Sequence, residues 1–140
     1  MKITKTHEIH LRVWPDRSKT GRRGAYYDIH IYPTKKGFED ALRKRDGTTR
    51  GSLRNVGATC RFIDTKGLRF GHVYFYHSQF FDGNVAHECA HIGIDYCRQK
   101  GIDPFKNLKS EEKLARAVGD CHMQIFNALR YKEGRTNDAL

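Results

Sequence analysis

Long apolar runs are missing from this 140-residue chain: none approaches the roughly 20 consecutive apolar residues a membrane span needs. The opening Met1-Lys2-Ile3-Thr4-Lys5 also lacks the apolar stretch of about 7–15 residues found in a secretory signal peptide. A soluble cytoplasmic protein with no membrane partner is the expectation. No internal repeat, low-complexity tract or Pro/Gly-rich linker interrupts the sequence, which has only 3 prolines. One domain over 1–140 follows, with a basic, strand-rich half at 1–77 and a helical half at 84–132. The 4 cysteines, Cys60, Cys89, Cys97 and Cys121, form no CxxC pair and read as reduced thiols. Three of them fall on expected helices among apolar neighbours, where Cys acts as a small hydrophobe.

Aromatic residues are plentiful, with 8 Phe, 7 Tyr and 1 Trp, which argues against a disordered chain despite a charged fraction of 30%. Lys and Arg number 26 against 16 Asp and Glu, a net charge of +10. The excess is confined to one half: residues 1–70 hold 17 basic and 7 acidic side chains, residues 71–140 hold 9 of each. Clusters at Arg22/Arg23, Lys35/Lys36 and Arg43/Lys44/Arg45 make residues 1–70 a candidate surface for nucleic acid or acidic partners, or simply a solubilising face. They lack the interleaved aromatics of a single-strand-binding module.

Ile9, Leu11 and Val13 alternate with polar residues, and so do Tyr27, Ile29 and Ile31 before Pro33; two strands in a hairpin are predicted. A short helix is expected over 37–46, with Phe38, Ala41 and Leu42 on one side. A Gly- and Thr-rich loop runs to Gly51. Val56, Ala58, Cys60 and Phe62 suggest a third strand and 64–67 a turn. Residues 70–76, apolar or aromatic on both faces, predict a strand covered on both sides. A helix capped by Asp82 or Asn84 should run to about Lys100 and end over 101–104. Ser110 is the expected cap of a last helix with the stripe Leu114, Val118, Cys121, Ile125 and Leu129, frayed beyond Glu133. Strands followed by helices indicate an α+β domain with a four-stranded, mostly antiparallel sheet.

The chemistry-bearing segment is His87-Glu88-Cys89-Ala90-His91. Two histidines four apart on a helix lie one above the other and can offer both imidazoles to one metal. The carboxylate of Glu88 can then take a proton from metal-bound water; this is the HExxH arrangement. The helix has a core stripe at Val85, Cys89, Ile92 and Tyr96, and at about 100° per residue the histidines point roughly opposite it. A catalytic zinc also needs a third protein ligand. Glu111 and Glu112, at the start of the following helix, are the acidic candidates. Glu111, three before Leu114 and seven before Val118, points towards the apolar stripe.

Residues 84–119 resemble the zincin metallopeptidases, and among them the gluzincin type, whose third ligand is a Glu on the next helix. The family pattern fits Glu112-Lys-Leu-Ala-Arg116, with Ala115 and Gly119 leaving room for close helix approach, and leaves Glu111 as the alternative ligand. His91-Ile-Gly-Ile-Asp95-Tyr96 is similar to the thermolysin-like continuation. The layout is also similar to small metallopeptidases of phages and mobile elements, which implies host cytoplasm for a phage product. One departure is Arg116, where thermolysin-like enzymes often carry an acid that orients a zinc histidine; Arg is a donor only. Asp95 or a backbone carbonyl would take that role, unless Asp95 is a surface salt-bridge partner.

The resemblance implies Zn²⁺ on His87, His91 and Glu112, a protein or peptide substrate, and Glu88 as the base in peptide-bond hydrolysis. It also implies that the strand at 70–76 borders the cleft and receives substrate by strand addition, with Tyr74, Tyr76 or His77 donating to the oxyanion. His122 reads as a partly buried, hydrogen-bonded histidine, with oxyanion stabiliser or alternative ligand as the other roles; it lies about 15 Å along the helix from Glu112. His7, His10, His30, His72 and His77 have no ligand spacing. Two other classes fit the same residues: a structural, non-catalytic metal clip, and a basic nucleic-acid-binding or host-defence-counteracting protein.

Overall fold

The structure, a computed structural model, describes residues 7–46, 58–62, 67–80 and 82–138. The expected loop to Gly51, Val56 and residues 64–66 of the expected turn lie outside them. Strands β1 (Ile9–Val13) and β2 (Tyr26–Tyr32) form the predicted hairpin, with Ile9 opposite Ile31 and Val13 opposite Tyr27. Helix α1 spans Lys35–Asp46, two residues earlier than expected, because Thr34 Oγ1 accepts the Gly37 N–H at 3.1 Å and so caps the first turn. Strands β3 (Ala58–Phe62) and β4 (Arg69–Tyr76) follow, then α2 (Asp82–Lys100) and α3 (Leu108–Asp138).

The domain is α+β, and its sheet has the order β1-β2-β4-β3. The sheet is mixed rather than mostly antiparallel, since its two central strands, β2 and β4, run parallel. A parallel pair needs a crossover and covered faces, and both are present. The chain leaves β2, builds α1 and the edge strand β3, and returns as β4. The period-2 alternation of β4 then divides its side chains. Val73 and Phe75 join Tyr27, Ile29 and Ile31 under α2 and α3, while Tyr74 and Tyr76 pack with Tyr32 against Phe38 and Leu42 of α1.

The expected core stripe of α2 is buried in full: Val85, Cys89, Ile92 and Tyr96 face the sheet. The helix begins at Asp82, so neither Asp82 nor Asn84 precedes it; the Asn84 amide instead donates to the Gln79 carbonyl at 2.7 Å. It ends at Gly101, whose φ of +68° lets the Ile102 N–H reach the Cys97 carbonyl at 2.8 Å, the six-to-one bond of a Schellman stop. The cap of α3 is Asn107, whose Oδ1 accepts the Ser110 N–H at 2.9 Å, rather than Ser110 itself. This helix also continues past Glu133.

The close helix approach sits at Gly93 instead of Ala115 and Gly119. A Cβ at Gly93 would lie 2.6 Å from Val118 Cγ2 and 3.0 Å from Leu114 Cδ1, whereas one at Gly119 meets nothing within 4 Å. Gly93→Ala is therefore expected to destabilise the protein by about 1–2 kcal/mol, overpacking outweighing the gain of about 1 kcal/mol in helix propensity. A urea midpoint that rises in Gly93→Ala would show the contact to be slack; Gly93→Ala/Val118→Ala should recover most of the loss.

Candidate functional site

The amphipathicity of α2 sets the site. With the apolar stripe on the sheet, His87 and His91 project to solvent, and their Nε2 atoms stand 3.1 Å apart, ring centroids 4.7 Å. Two nitrogens bound to one tetrahedral zinc at about 2.0–2.1 Å lie about 3.3 Å from each other, so the pair fits two coordination positions of one ion. Glu88, about 100° further round the helix, is buried at 5% exposure against the edge strand β3. Cys60 Sγ of β3 donates to Glu88 Oε2 at 2.8 Å. Burial, reinforced by the Glu88 carboxylate, pushes the Cys60 thiol well above its ordinary range and keeps it the donor. Cys89 is likewise pushed up to about 12, first by burial and then by Glu88.

The expected third ligands do not join the pair. Among the described residues, no three His, Cys, Asp or Glu side chains are grouped so as to hold a metal ion. Glu111 and Glu112 are exposed, and Glu112 Oε1 instead accepts from Arg116 Nε at 3.2 Å. The register of the helix pair explains this. Gly93 faces Leu114 and Val118, and the helices run antiparallel. Glu112 is then level with about Cys97, roughly 9 Å further along the axis than His91. His122 stands at the height of His87, but its ring packs on Phe126 at 4.8 Å and is not grouped with the pair.

Asp95 does not orient His91 and is not a surface residue. It is 2% exposed and accepts from Tyr27 Oη at 2.6 Å, Gln99 Nε2 at 2.7 Å and Arg98 Nη2 at 2.6 Å, which fastens α2 to β2. Burial and this carboxylate push the Tyr27 hydroxyl far above its usual range. Tyr74 and Tyr76 lie on the α1 side of the sheet, away from the histidine pair, and His77 begins the 3₁₀ turn His77–Gln79. Strand β4 is interior, paired on both sides, so it has no free edge for a substrate strand; the edge beside Glu88 is β3.

A second histidine constellation escapes sequence spacing because strand register creates it. His10 lies opposite His30, and His72 opposite Asp28, two residues before His30. On the α1 side of the sheet the contacts run Arg45 Nη1 to His72 Nε2 at 3.1 Å, His72 Nδ1 to His30 Nε2 at 3.0 Å, and His30 Nδ1 to His10 Nδ1 at 2.8 Å. The chain ends with His10 Nε2 to Glu8 Oε2 at 3.2 Å. A guanidinium can only donate and a carboxylate only accept, so the direction of every bond is set from the ends. Arg45 donates to His72, His72 Nδ1–H to His30, His30 Nδ1–H to His10, and His10 Nε2–H to Glu8. Burial first, with Arg45 next for His72 and His10 next for His30, holds both His72 and His30 down to about 4.

Comparison of the chain with protein-family models, curated proteins and solved structures finds no match.

Proposed function

We propose that the protein is a metal-dependent hydrolase acting on peptide bonds, centred on His87, His91 and Glu88. The observation that carries this reading is the 3.1 Å approach of two exposed imidazole nitrogens on one helix, with a carboxylate between them in sequence. Zinc fits the imidazole pair, and when bound there it supplies a polarised carbonyl and a more acidic water. The described residues provide these two nitrogen ligands and not a third, so the remaining positions fall to solvent or substrate. Glu88 Oε2 is occupied by the Cys60 thiol, which leaves Oε1 to take and return the proton. A peptide laid along the β3 edge would pass beside that carboxylate.

The structural-clip reading draws on the burial of Glu88 and on the two-ligand count. Metal titration separates the possibilities. Wild type should bind one Zn²⁺ or Co²⁺, and His91→Ala should weaken binding at least about tenfold to a hundredfold. Glu112→Ala and Glu111→Ala, run beside it as controls, should leave the affinity unchanged. A wild type that takes up no ion, or His91→Ala with undiminished affinity, would end the metal reading. A stoichiometric ion in a protein inert on peptide pools favours the clip.

A further inference from the structure

We propose that the cleft between the 15–24 loop and the C-terminal half of α2 binds a ligand bearing two or more phosphate groups. The cleft has a volume of about 630 Å³, in the range of small-molecule sites. Arg17, Lys19 and Arg23 line it from the loop, Lys100 from α2, and Lys113 and Arg116 from α3, against two carboxylates, Asp16 and Asp120. Three of these six cations belong to the half of the chain that is neutral overall, and folding sets them against three from the basic half. Of these six cations only Arg116 has a carboxylate of a described residue within 4 Å, that of Glu112 at 3.2 Å. Asp16 is engaged by Ser18, whose Oγ and N–H donate to Oδ1 at 2.6 and 3.0 Å.

The walls are held in place by the protein's own hydrogen bonds. Gln124 of α3 grips the Trp14 backbone through both amide atoms, at 2.9 and 2.8 Å, and Trp14 Nε1 donates to the Gly21 carbonyl at 3.3 Å. Gly24 closes the loop, since a Cβ there would stand 1.4 Å from the Lys19 carbonyl oxygen. A preformed concave surface with a surplus of four positive charges focuses the field on a dense anion. Phosphates in series supply that density compactly, and the guanidiniums of Arg17, Arg23 and Arg116 match their oxygens in pairs. Tyr96, the aromatic residue of the lining, is 9% exposed, too buried to stack a base, so recognition is of phosphate rather than of sequence. The cleft is independent of the histidine pair: Lys100 lies nine residues beyond His91 on α2, about 14 Å.

The shared chemistry has two sources, a nucleic-acid backbone and a nucleoside polyphosphate. Fluorescence anisotropy with a short labelled oligothymidylate and with a labelled ATP analogue distinguishes them, and binding of either supports the cleft. Affinity should fall about tenfold or more between roughly 50 and 200 mM salt. Arg17→Glu/Lys113→Glu should weaken binding at least about tenfold and flatten the salt dependence. The same charge change on α1, Lys36→Glu/Lys44→Glu, should alter it less than about twofold. Arg23→Glu/Lys100→Glu gives a second cleft variant should the first fold poorly. The proposal is overturned if neither probe binds at low salt, if the α1 variant loses as much as the cleft variants, or if a labelled oligoglutamate binds as tightly as both phosphate probes.

Discussion

Between pH 6.5 and about pH 4 the protein should lose about 2–4 kcal/mol of stability through the imidazole chain on the α1 side of its sheet. In the unfolded chain, His30 and His72 protonate around their ordinary value of 6.5, while in the folded protein both are held at about 4. The unfolded state thus binds more protons throughout that window, so stability rises with pH and is lost as pH falls through it. Two independent groups would lose about 5 kcal/mol across this window, since both are only half protonated in the folded protein at its lower end; shared hydrogen bonds and partial solvent access at His30 reduce that.

The chain offers no inexpensive place for a proton. Arg45 and Arg69 oppose charge on His72, Asp28 attracts it, and burial weighs more than any of them. Protonating His30 sets two N–H groups face to face with a neighbour whose direction Arg45 has fixed. The check is the urea midpoint of wild type and His30→Asn/His72→Asn from pH 7 to 4.5, above the range in which most carboxylates titrate. Parallel pH profiles for the two proteins would refute the account.

Glu88→Gln should lower peptide hydrolysis by a factor of about 10²–10⁴ while leaving metal affinity within about threefold. Gln keeps the volume and retains an oxygen for the Cys60 thiol, so the buried contact with β3 survives in altered form. What it loses is the ability to accept a proton at Oε1. Because Glu88 also ties α2 to the sheet edge, the urea midpoint of the variant must be read beside its kinetics. A fall in stability with unchanged turnover per folded molecule would assign Glu88 to structure alone. Unchanged turnover with unchanged stability would remove it from both roles.

The hydrophobic pattern made much of the fold readable. Alternation at Ile9, Leu11 and Val13 and at Tyr27, Ile29 and Ile31 marked the hairpin, and the helical spacing of Val85, Cys89, Ile92 and Tyr96 marked the buried face of α2. That same spacing put His87 and His91 outside, because side chains opposite a core stripe have nowhere else to go. Partners that depend on another element were not legible. Glu112 matched a motif by distance along the chain, but the antiparallel offset fixed at Gly93 carries it past the pair. Asp95 read equally well as a metal-site or surface residue, and only the position of Tyr27 on β2 shows it to be a buried anchor.

Local periodicity needs no more than a residue's near neighbours, so the α+β class, the exposed imidazole pair and the strand covered on both faces were readable from residue order. Register, crossover and helix offset arise from which surfaces bury most against each other, a property of the assembled chain. The tertiary structure alone therefore decided that β2 and β4 run parallel and that His10, His30 and His72 meet in one row between a cation and an anion. It also gathered cations from both halves of the sequence into a single cleft.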